Sequence, residues 1–443
     1  MTASKKQEKK TLQQKLKERK FHQPNGFFYW IYYVLSKWFI LRKYKPHIRI
    51  EDDINECKGP CFLIWNHLSR LDHSFLVEAA YPKKINIVAG YAEFLRSHLH
   101  TVFRLNQCLP KKNYTQDITG MRAIQSILNQ GGCVAMSPEG MSSIYGTNQP
   151  VVPGSGHFFR HYKYPVYFME MRGQYLTNTK VCLDERICRT EATMKLLFRP
   201  EDFETMTDRE VEDKLNEVFR HDDYAWGKER HLKWTKMENS CERLDDICFR
   251  CPKCGSEIKM IAKGDTIRCS VCGNGARVNA YYEFEPLSAD AVLPESPAAW
   301  YRWERGEIIK EIRADKNYSC TVPVTVGYQP PYEYVKDKTK TTVPCGKGDI
   351  TFDHQGIHFK GEKLGQPFTF DLSYEFVFSL VIERATDIFG LYVNSEWYEF
   401  YPETPVVGKL ILITEEMHRL HYNFWKNFPW ESDLYEGMEL PQK

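Results

Sequence analysis

A histidine and an aspartate, His67 and Asp72, have the types and spacing that most directly permit chemistry. They lie in the segment NHLSRLDH, which follows the apolar run CFLIW. The sequence SRLD matches a helix capping box, which predicts Ser69 at a helix N-cap and Asp72 in the first turn. A carboxylate placed there can hold one ring nitrogen of His67 and leave the other to accept a proton, as a general base requires. The alternative is a structural capping aspartate beside an unrelated histidine.

A second candidate group, Pro138, Glu139 and Gly140, directly follows another apolar run, CVAMS. The Glu139 carboxylate could bind an acceptor hydroxyl or orient a substrate, and Gly140 would let the backbone approach a ligand closely. The alternative interpretation is an ordinary turn after a strand. If the two apolar runs are neighbouring parallel strands, both candidate groups lie at the same edge of one sheet.

The elements that must position these groups lie within residues 46–240. Continuous apolar runs predict strands buried on both faces, and helical patterns alternate with them. The predicted strands are CFLIW (61–65), INIVA (85–89), CVAMS (133–137) and VYFME (166–170). A helix is predicted at 117–130, and a charged helical stretch at 207–236 closes the unit. This order predicts an α/β domain with a mixed, largely parallel sheet, whose functional groups lie beyond the carboxyl ends of the strands.

Together these segments resemble the signature of the PlsC-like lysophosphatidate (1-acylglycerol-3-phosphate) acyltransferase family. The segment 66–73 corresponds to the H-x4-D motif of glycerolipid acyltransferases, and SPEGMSS at 137–143 corresponds to their FPEGTRS motif. The later stretch PGSGHFFRHYKYPVYF is similar to a third family element. The resemblance covers roughly residues 25 to 200 and implies the PlsC-like glycerolipid acyltransferase fold.

The resemblance implies transfer of a fatty acyl group from acyl-CoA or acyl carrier protein to a hydroxyl of a lysophospholipid. The implied acceptor is 1-acylglycerol-3-phosphate, giving phosphatidic acid in phospholipid biosynthesis. In the roles that the family implies, His67 deprotonates the acceptor hydroxyl and Asp72 supports the histidine. The substrate-binding residues that we carry over from the motifs are Asn66, Ser69, Glu139, Gly140, Lys111 and Lys112.

One position departs from the family pattern. Ser142 stands where FPEGTRS has an arginine, a residue thought to contact the phosphate of the acceptor. Either another basic residue takes that role, or the acceptor is a different hydroxyl or amine lipid. The basic residues considered for the role are Arg70, Lys111, Lys112, Arg160 and Lys163.

Four cysteines form two C-x2-C-G pairs, CPKCG at 251–255 and CSVCG at 269–273. Thiolates at this spacing predict a closed, structural Zn²⁺ site in a zinc ribbon spanning 245–282. The predicted ligands are Cys251, Cys254, Cys269 and Cys272. Cys248 offers a rival C-x2-C pair with Cys251, and iron or disulfides are the alternatives to zinc. The loop is mildly basic but has almost no aromatic side chains, so we expect no nucleic-acid partner.

The first 45 residues combine basic charge with aromatic side chains. A basic run occupies residues 1–20, and the apolar stretch 26–41 is shorter than the ~20 residues that a spanning helix needs. Its aromatics are typical of headgroup depth, which predicts an amphipathic helix lying in one leaflet and in contact with the membrane surface. A buried core helix and a true span are the alternatives, and the basic run is otherwise a solvated tail.

Bulk composition excludes some classes of protein. A hydrophobic content of 42% excludes wholesale disorder, and the net charge of +2 says nothing about partners. Fourteen cysteines without a secretory signal pattern predict a reducing compartment. We therefore expect a cytoplasmic protein that associates peripherally with the cytoplasmic face of a membrane.

Two more units follow the zinc ribbon. Residues 283–315 are predicted as a linker and a helix that begins at Ser296 and Pro297. Residues 316–443 are predicted as a β-rich domain with a C-terminal helix, which resembles a pleckstrin-homology-like barrel in topology. The sequence identifies no protein partner for this domain. Two functions are therefore weighed: a peripheral membrane O-acyltransferase, and a non-catalytic lipid-binding adaptor that retains the acyltransferase fold.

Overall fold

The computed structural model describes residues 9–382, 387–422 and 433–434. Residues 1–8 of the predicted basic run lie outside the described residues. The same holds for 423–432 and 435–443 of the predicted C-terminal domain. The described part of the chain contains three β-sheets, each formed by strands that follow one another in one region of the sequence.

The first sheet is mixed and largely parallel. Its strands are β1 (His47–Ile50), β2 (Cys61–Trp65), β3 (Ile85–Gly90), β4 (Leu109–Lys111), β5 (Cys133–Met136), β6 (Val166–Arg172) and β7 (Glu191–Phe198). They lie in the order β1-β7-β6-β2-β5-β3-β4. Strands β6 and β7 pair antiparallel, and the other pairs are parallel. The predicted mixed, largely parallel sheet is therefore confirmed.

Eleven α-helices of the described chain accompany this sheet. They are α1 (Leu12–Lys17), α2 (Gly26–Ser36), α3 (Arg42–Tyr44), α4 (Asp72–Ala80), α5 (His100–Leu105), α6 (Ile118–Asn129), α7 (Ser155–Tyr162), α8 (Gln174–Thr177), α9 (Asp202–Thr205), α10 (Asp208–Phe219) and α11 (Asp223–Glu229). One turn of π-helix, Lys37–Leu41, joins α2 to α3. The stretch predicted as helical at 207–236 contains two helices, α10 and α11.

Strand β2 separates two hydrophobic cores, because successive side chains of a strand point to opposite faces of the sheet. Phe62 and Ile64 belong to a core shared with α6, α7 and α10. Leu63 and Trp65 belong to the other core, which they share with α4 and the later units of the chain. All five residues of β2 are buried, which explains the continuous apolar run from which the strand was predicted.

The second sheet and a long helix follow in the chain. The strands are β8 (Met260–Lys263), β9 (Thr266–Cys269), β10 (Gly275–Val278) and β11 (Phe284–Pro286), and the helix is α12 (Pro297–Ala314). The strands pair antiparallel in the order β11-β10-β9-β8. The Ser296 hydroxyl caps α12 by accepting from the Ala299 N–H at 3.1 Å, and Pro297 is its first residue, as predicted.

The third sheet forms the β-rich unit, which we define as residues 316–422 of the described chain. Its elements are β12 (Ser319–Tyr328), β13 (Val343–Asp353), β14 (Ile357–Lys363), β15 (Gln366–Leu372), β16 (Val381–Ile382), β17 (Phe389–Val393), β18 (Glu396–Pro402) and α13 (Val407–Tyr422). The strands pair antiparallel in the order β15-β14-β13-β12-β18-β17-β16. The predicted β-rich fold of this region is confirmed, helix α13 follows its last strand, and the pleckstrin-homology resemblance stays a prediction.

The β-rich unit packs directly on the first sheet domain. The Lys112 ammonium donates to the Ser395 carbonyl at 2.8 Å, and the Ser97 N–H donates to the Val335 carbonyl at 2.8 Å. The core that contains Leu63 of β2 continues into the β-rich unit. Contacts from the C-terminal third of the chain therefore reach the edge of the first sheet where the candidate site lies.

Candidate active site

His67 and Asp72 form a hydrogen-bonded pair just beyond the carboxyl end of β2. The Nδ1 atom of His67 lies 2.8 Å from Oδ2 of Asp72. The same carboxylate accepts from the backbone N–H groups of Leu68, at 2.8 Å, and Ser69, at 3.1 Å. The Asp72 side chain is 2% exposed, whereas that of His67 is 30% exposed. Because Nδ1 donates to the carboxylate, Nε2 is the ring nitrogen that can accept a proton.

The local structure around Ser69 differs from the prediction. Helix α4 begins at Asp72 with Leu71 at the cap position, so the prediction of Ser69 as the N-cap was wrong. The Ser69 hydroxyl accepts from the Leu71 N–H and donates to Asp72 Oδ1, both at 3.1 Å. The physical reason is that Asp72 binds the turn before the helix, so the helix starts two residues later than predicted. Asp72 does lie in the first turn, as predicted.

Glu139 is buried, 1% exposed, and binds backbone groups rather than lining the surface. Its Oε2 accepts from the His67 N–H and its Oε1 from the Gln149 N–H, each at 2.8 Å. Burial raises the pKa of Glu139 to about 8, although both backbone hydrogen bonds act to lower it. The carbonyl of the same residue, His67, accepts from the Ser143 N–H at 2.7 Å. Residues of the 137–143 segment therefore bind both the backbone N–H and the backbone carbonyl of His67.

Gly140 occupies a position that a larger residue would strain. Its φ is +75°, in the left-handed region, and an added Cβ would lie 2.9 Å from Cγ2 of Val152. Its carbonyl accepts from the Asn113 amide at 2.7 Å. Backbone conformation and packing therefore require glycine here, in addition to any approach by a ligand.

The other residues assigned to substrate from the motifs divide into two groups. The Asn66 amide is buried and makes two hydrogen bonds to the Met171 backbone, at 2.7 and 2.8 Å, so it ties β2 to β6. Lys111 donates to the Lys112 carbonyl at 2.9 Å. Lys112 donates to Ser395 at 2.8 Å. Both lysines line the cavity described next, as do Ser69 and Gly140.

A cavity of about 940 Å³ adjoins His67. The polar residues that line it include His67, Ser69 and Ser142. Most of the surface of the cavity is apolar. The apolar lining includes Ile87, Val88, Phe103, Met121, Ile124, Phe158, Phe159 and Tyr162. A cavity whose surface is largely apolar, with polar side chains beside a histidine, suits a long apolar chain with one polar end.

Two parts of this cavity wall carry no signal in the sequence. The β-rich unit supplies part of the wall through Ile382, Tyr392 and Trp397. Lys180, on the loop after α8, also lines the cavity and donates to the Ser142 hydroxyl at 3.0 Å. No motif marks these residues, since their position depends on contacts between distant parts of the chain.

The four predicted metal ligands come together in the second sheet unit. One ligand atom from each of Cys251, Cys254, Cys269 and Cys272 lies within 4.8 Å of all the others, so this cluster could hold a metal ion. The Sγ atoms of Cys251 and Cys272 are 3.6 Å apart, and those of Cys254 and Cys269 are 3.7 Å apart. A tetrahedron with Zn–S distances of about 2.3 Å has edges of about 3.8 Å, so the spacing fits zinc.

Helix α2 and the π-turn after it expose a group of aromatic side chains. Phe27, Trp30, Trp38 and Phe39 are between 48% and 74% exposed. The opposite side of α2 packs on α4, the helix that begins at Asp72, where the Tyr32 hydroxyl lies 2.6 Å from Nδ1 of His73. Among the residues that the structure describes, no helix combines the length and apolar character that crossing a bilayer requires.

Comparison with known proteins gives one family match. Residues 45–171 match the model of the acyltransferase family. A comparison with curated proteins found no match. Among solved structures, the chain is similar to the crystal structure of the 1-acyl-sn-glycerophosphate (LPA) acyltransferase PlsC from Thermotoga maritima, with 13% identity and a TM-score of 0.35. That similarity covers 46% of this chain and 79% of the other. The segment that matches the acyltransferase family model, residues 45–171, includes both His67 and Asp72.

Proposed function

We propose that this protein is a glycerolipid O-acyltransferase, which transfers a fatty acyl group from acyl-CoA or acyl carrier protein to a hydroxyl of a lysophospholipid. The observation that carries the proposal is the His67–Asp72 pair, joined at 2.8 Å, beside a largely apolar cavity within the acyltransferase-family segment. The proposed acceptor is 1-acylglycerol-3-phosphate, and the product is phosphatidic acid.

The proposed reaction is a direct transfer between two substrates. Nε2 of His67 takes the proton of the acceptor hydroxyl as its oxygen attacks the thioester carbonyl carbon. The tetrahedral intermediate then collapses, the C–S bond breaks, and the leaving thiolate receives the proton from His67. Asp72 stabilises the imidazolium that forms and keeps Nδ1 protonated throughout. Atoms balance without an acyl-enzyme intermediate.

The residues around this pair have two proposed roles. Ser69, Gly140, Lys111 and Lys112 line the cavity and are proposed to contact substrate. Asn66 and Glu139 bind backbone groups next to the cavity, so they are proposed to act as positioning residues. Glu139 has a direct route for this role, because it holds the His67 N–H at 2.8 Å.

The proposed location is the cytoplasmic face of a membrane. The exposed aromatic side chains of α2 and the π-turn, such as Trp38 and Phe39, are the kind that settle at headgroup depth. Arg42 and Lys43 follow after Ile40 and Leu41; Lys43 pairs with Glu185, whereas Arg42 is exposed and would favour an anionic lipid surface. For the cysteine cluster we propose one structural Zn²⁺, which would connect the two C-x2-C pairs and play no part in acyl transfer.

The first experiment is an acyl-transfer assay with purified protein, labelled acyl-CoA and a panel of lysolipid acceptors. His67→Ala should lower the rate on the order of 10²- to 10⁴-fold, as expected for loss of a general base. His231→Ala is the matched control, because His231 is exposed and stacks on Tyr281 outside the cavity. If the wild type transfers to no acceptor, either from acyl-CoA or in a repeat with acyl carrier protein as the donor, the enzyme proposal fails and the lipid-binding adaptor is favoured.

A further inference from the structure

Lys180 is a basic residue of the cavity that no sequence motif identifies. It lies on the loop between α8 and β7, and it lines the same cavity as His67. Its Nζ donates to the hydroxyl of Ser142 at 3.0 Å. Ser142 is the residue before Ser143, whose N–H binds the His67 carbonyl at 2.7 Å. The Lys180–Ser142 pair is therefore linked through one peptide unit to the backbone of the catalytic histidine.

The loop that carries Lys180 is held by a fully buried arginine. Arg186 is 0% exposed and donates to the carbonyls of Leu176 and Cys182, each at 3.3 Å, and to the Thr179 hydroxyl at 3.2 Å. These three hydrogen bonds tie one buried side chain to three points of the loop at 176–182, which favours the observed loop conformation, although the Nη1 atom of Arg186 is buried without a hydrogen-bond partner among the described residues. The turn at residues 179–182, which contains Lys180, is held by these bonds and by the Thr179 hydroxyl, which accepts from the Cys182 N–H at 3.1 Å.

Other basic residues that line the cavity, Arg70, Lys111 and Lys112, donate to backbone carbonyls, and Arg70 donates to that of Leu183 at 3.1 Å. Lys111 and Lys112 donate at 2.9 and 2.8 Å, and Lys112 also lies 5.2 Å from the ring centre of Tyr392. A carbonyl only accepts, so each of these contacts ends at a backbone group. A hydroxyl both accepts and donates. Ser142 can therefore accept from Lys180 while its own proton binds an oxygen of a ligand in the cavity.

We propose that Lys180 and the Ser142 hydroxyl together bind the phosphate monoester of the acceptor lipid. An ammonium and a neutral hydroxyl donor form a suitable pair for a dianionic phosphate, since both donate to its oxygens. Lys180 then supplies the positive charge that Ser142, in the position of the family arginine, does not. This inference rests on the proposed function, and it makes Lys180 a residue that determines specificity for a phosphate-bearing acceptor.

The test compares Lys180→Gln with the wild type on two acceptors that carry the same acyl chain, lysophosphatidate and the uncharged monoacylglycerol. For lysophosphatidate, kcat/KM should fall about 10- to 100-fold, mostly through KM, because a charged hydrogen bond is lost. For monoacylglycerol, kcat/KM should change less than about twofold. Lys180→Arg should recover most of the loss. The control is Lys58→Gln, since Lys58 is exposed and also donates to an oxygen, the Asn55 carbonyl at 3.1 Å.

Equal losses on both acceptors, or no loss on lysophosphatidate, would overturn the inference while leaving acyl transfer by the wild type intact. Failure of the wild type to acylate anything would instead overturn the proposed function. For that case the same proteins are mixed with phosphatidylcholine vesicles, with and without lysophosphatidate. Binding that prefers lysophosphatidate and loses the preference in Lys180→Gln would support the phosphate site, and binding insensitive to the substitution would reject it.

Discussion

Replacing Asp72 by Asn tests the central pair without changing its size. The Asp72 carboxylate accepts from His67 Nδ1, from the N–H groups of Leu68 and Ser69, and from the Ser69 hydroxyl. An asparagine has one oxygen to accept and an NH₂ group that only donates. If the oxygen faces His67, the NH₂ group meets the Ser69 N–H. If the NH₂ group faces His67, Nδ1 must become the acceptor and Nε2 carries the proton, so the base is blocked.

The magnitude follows from the same contacts. A hydrogen bond to a charged group contributes roughly 1.5–3 kcal/mol to stability, so losing one backbone bond should lower the free energy of unfolding by about that amount. The rate of acyl transfer should fall by about 10²- to 10⁴-fold, because the variant loses both the correct tautomer and the charge that stabilises the imidazolium. Well below its unfolding temperature nearly all of the variant is folded. The fall in the rate of acyl transfer should therefore be larger than the unfolded fraction can explain.

The assay measures kcat and KM for acyl transfer together with urea unfolding of Asp72→Asn. Glu78→Gln is the matched control, since Glu78 lies on the same helix and forms an ion pair with Lys37 at 2.9 Å. That partly exposed pair should contribute no more than about 1 kcal/mol, and its loss should leave kcat nearly unchanged. A rate for Asp72→Asn within tenfold of the wild type, in a preparation where His67→Ala is inactive, would refute the orienting role of Asp72.

Three more predictions concern the membrane face, the metal and one buried acid. Replacing Trp38 and Phe39 by Ser should weaken binding to anionic vesicles at least about tenfold, and unchanged cosedimentation would count against membrane docking. The protein should carry about one zinc that Cys251→Ser removes, and metal analysis finding none would reject the site. Burial raises the pKa of Glu139 from 4.5 to about 8 in the folded protein. Because the unfolded chain ionises at the lower pH, the free energy of unfolding should decrease as the pH rises between these two values. The urea midpoint of the wild type should therefore fall relative to Glu139→Gln over this range, whereas a constant difference would contradict the shift.

The elements that the sequence predicts well are those with a local physical signal. Strand β2 has the predicted bounds, Cys61–Trp65, because a strand buried on both faces needs a continuous apolar run. Helix α12 spans Pro297–Ala314, with the predicted start, because a serine cap and a proline at the first position act locally. The cysteine cluster is predictable for the same reason, since each C-x2-C-G pair is a short local pattern typical of a turn that carries two metal ligands.

Tertiary contacts explain what the sequence does not predict. The N–H of Ile382 lies 3.4 Å from the Met141 sulfur, so a strand of the β-rich unit reaches the candidate site across 241 residues of sequence. Glu139 was expected to face a substrate, yet its carboxylate holds the His67 N–H, because a buried carboxyl needs donors and the backbone supplies them. Lys180 becomes significant only once the fold places it against Ser142.

The position of helix α2 connects the proposed membrane face to the proposed reaction. Tyr32 on this helix lines the cavity and lies 2.6 Å from His73, which follows Asp72 directly in α4. The same helix exposes Phe27 and Trp30. If these aromatic side chains dock in a leaflet, a lipid acceptor can reach the cavity without its acyl chain passing through water, where each exposed CH₂ costs about 0.8 kcal/mol. Under this proposal, a long-chain substrate requires the membrane-docking helix and the helix that carries Asp72 to be adjacent, as α2 and α4 are.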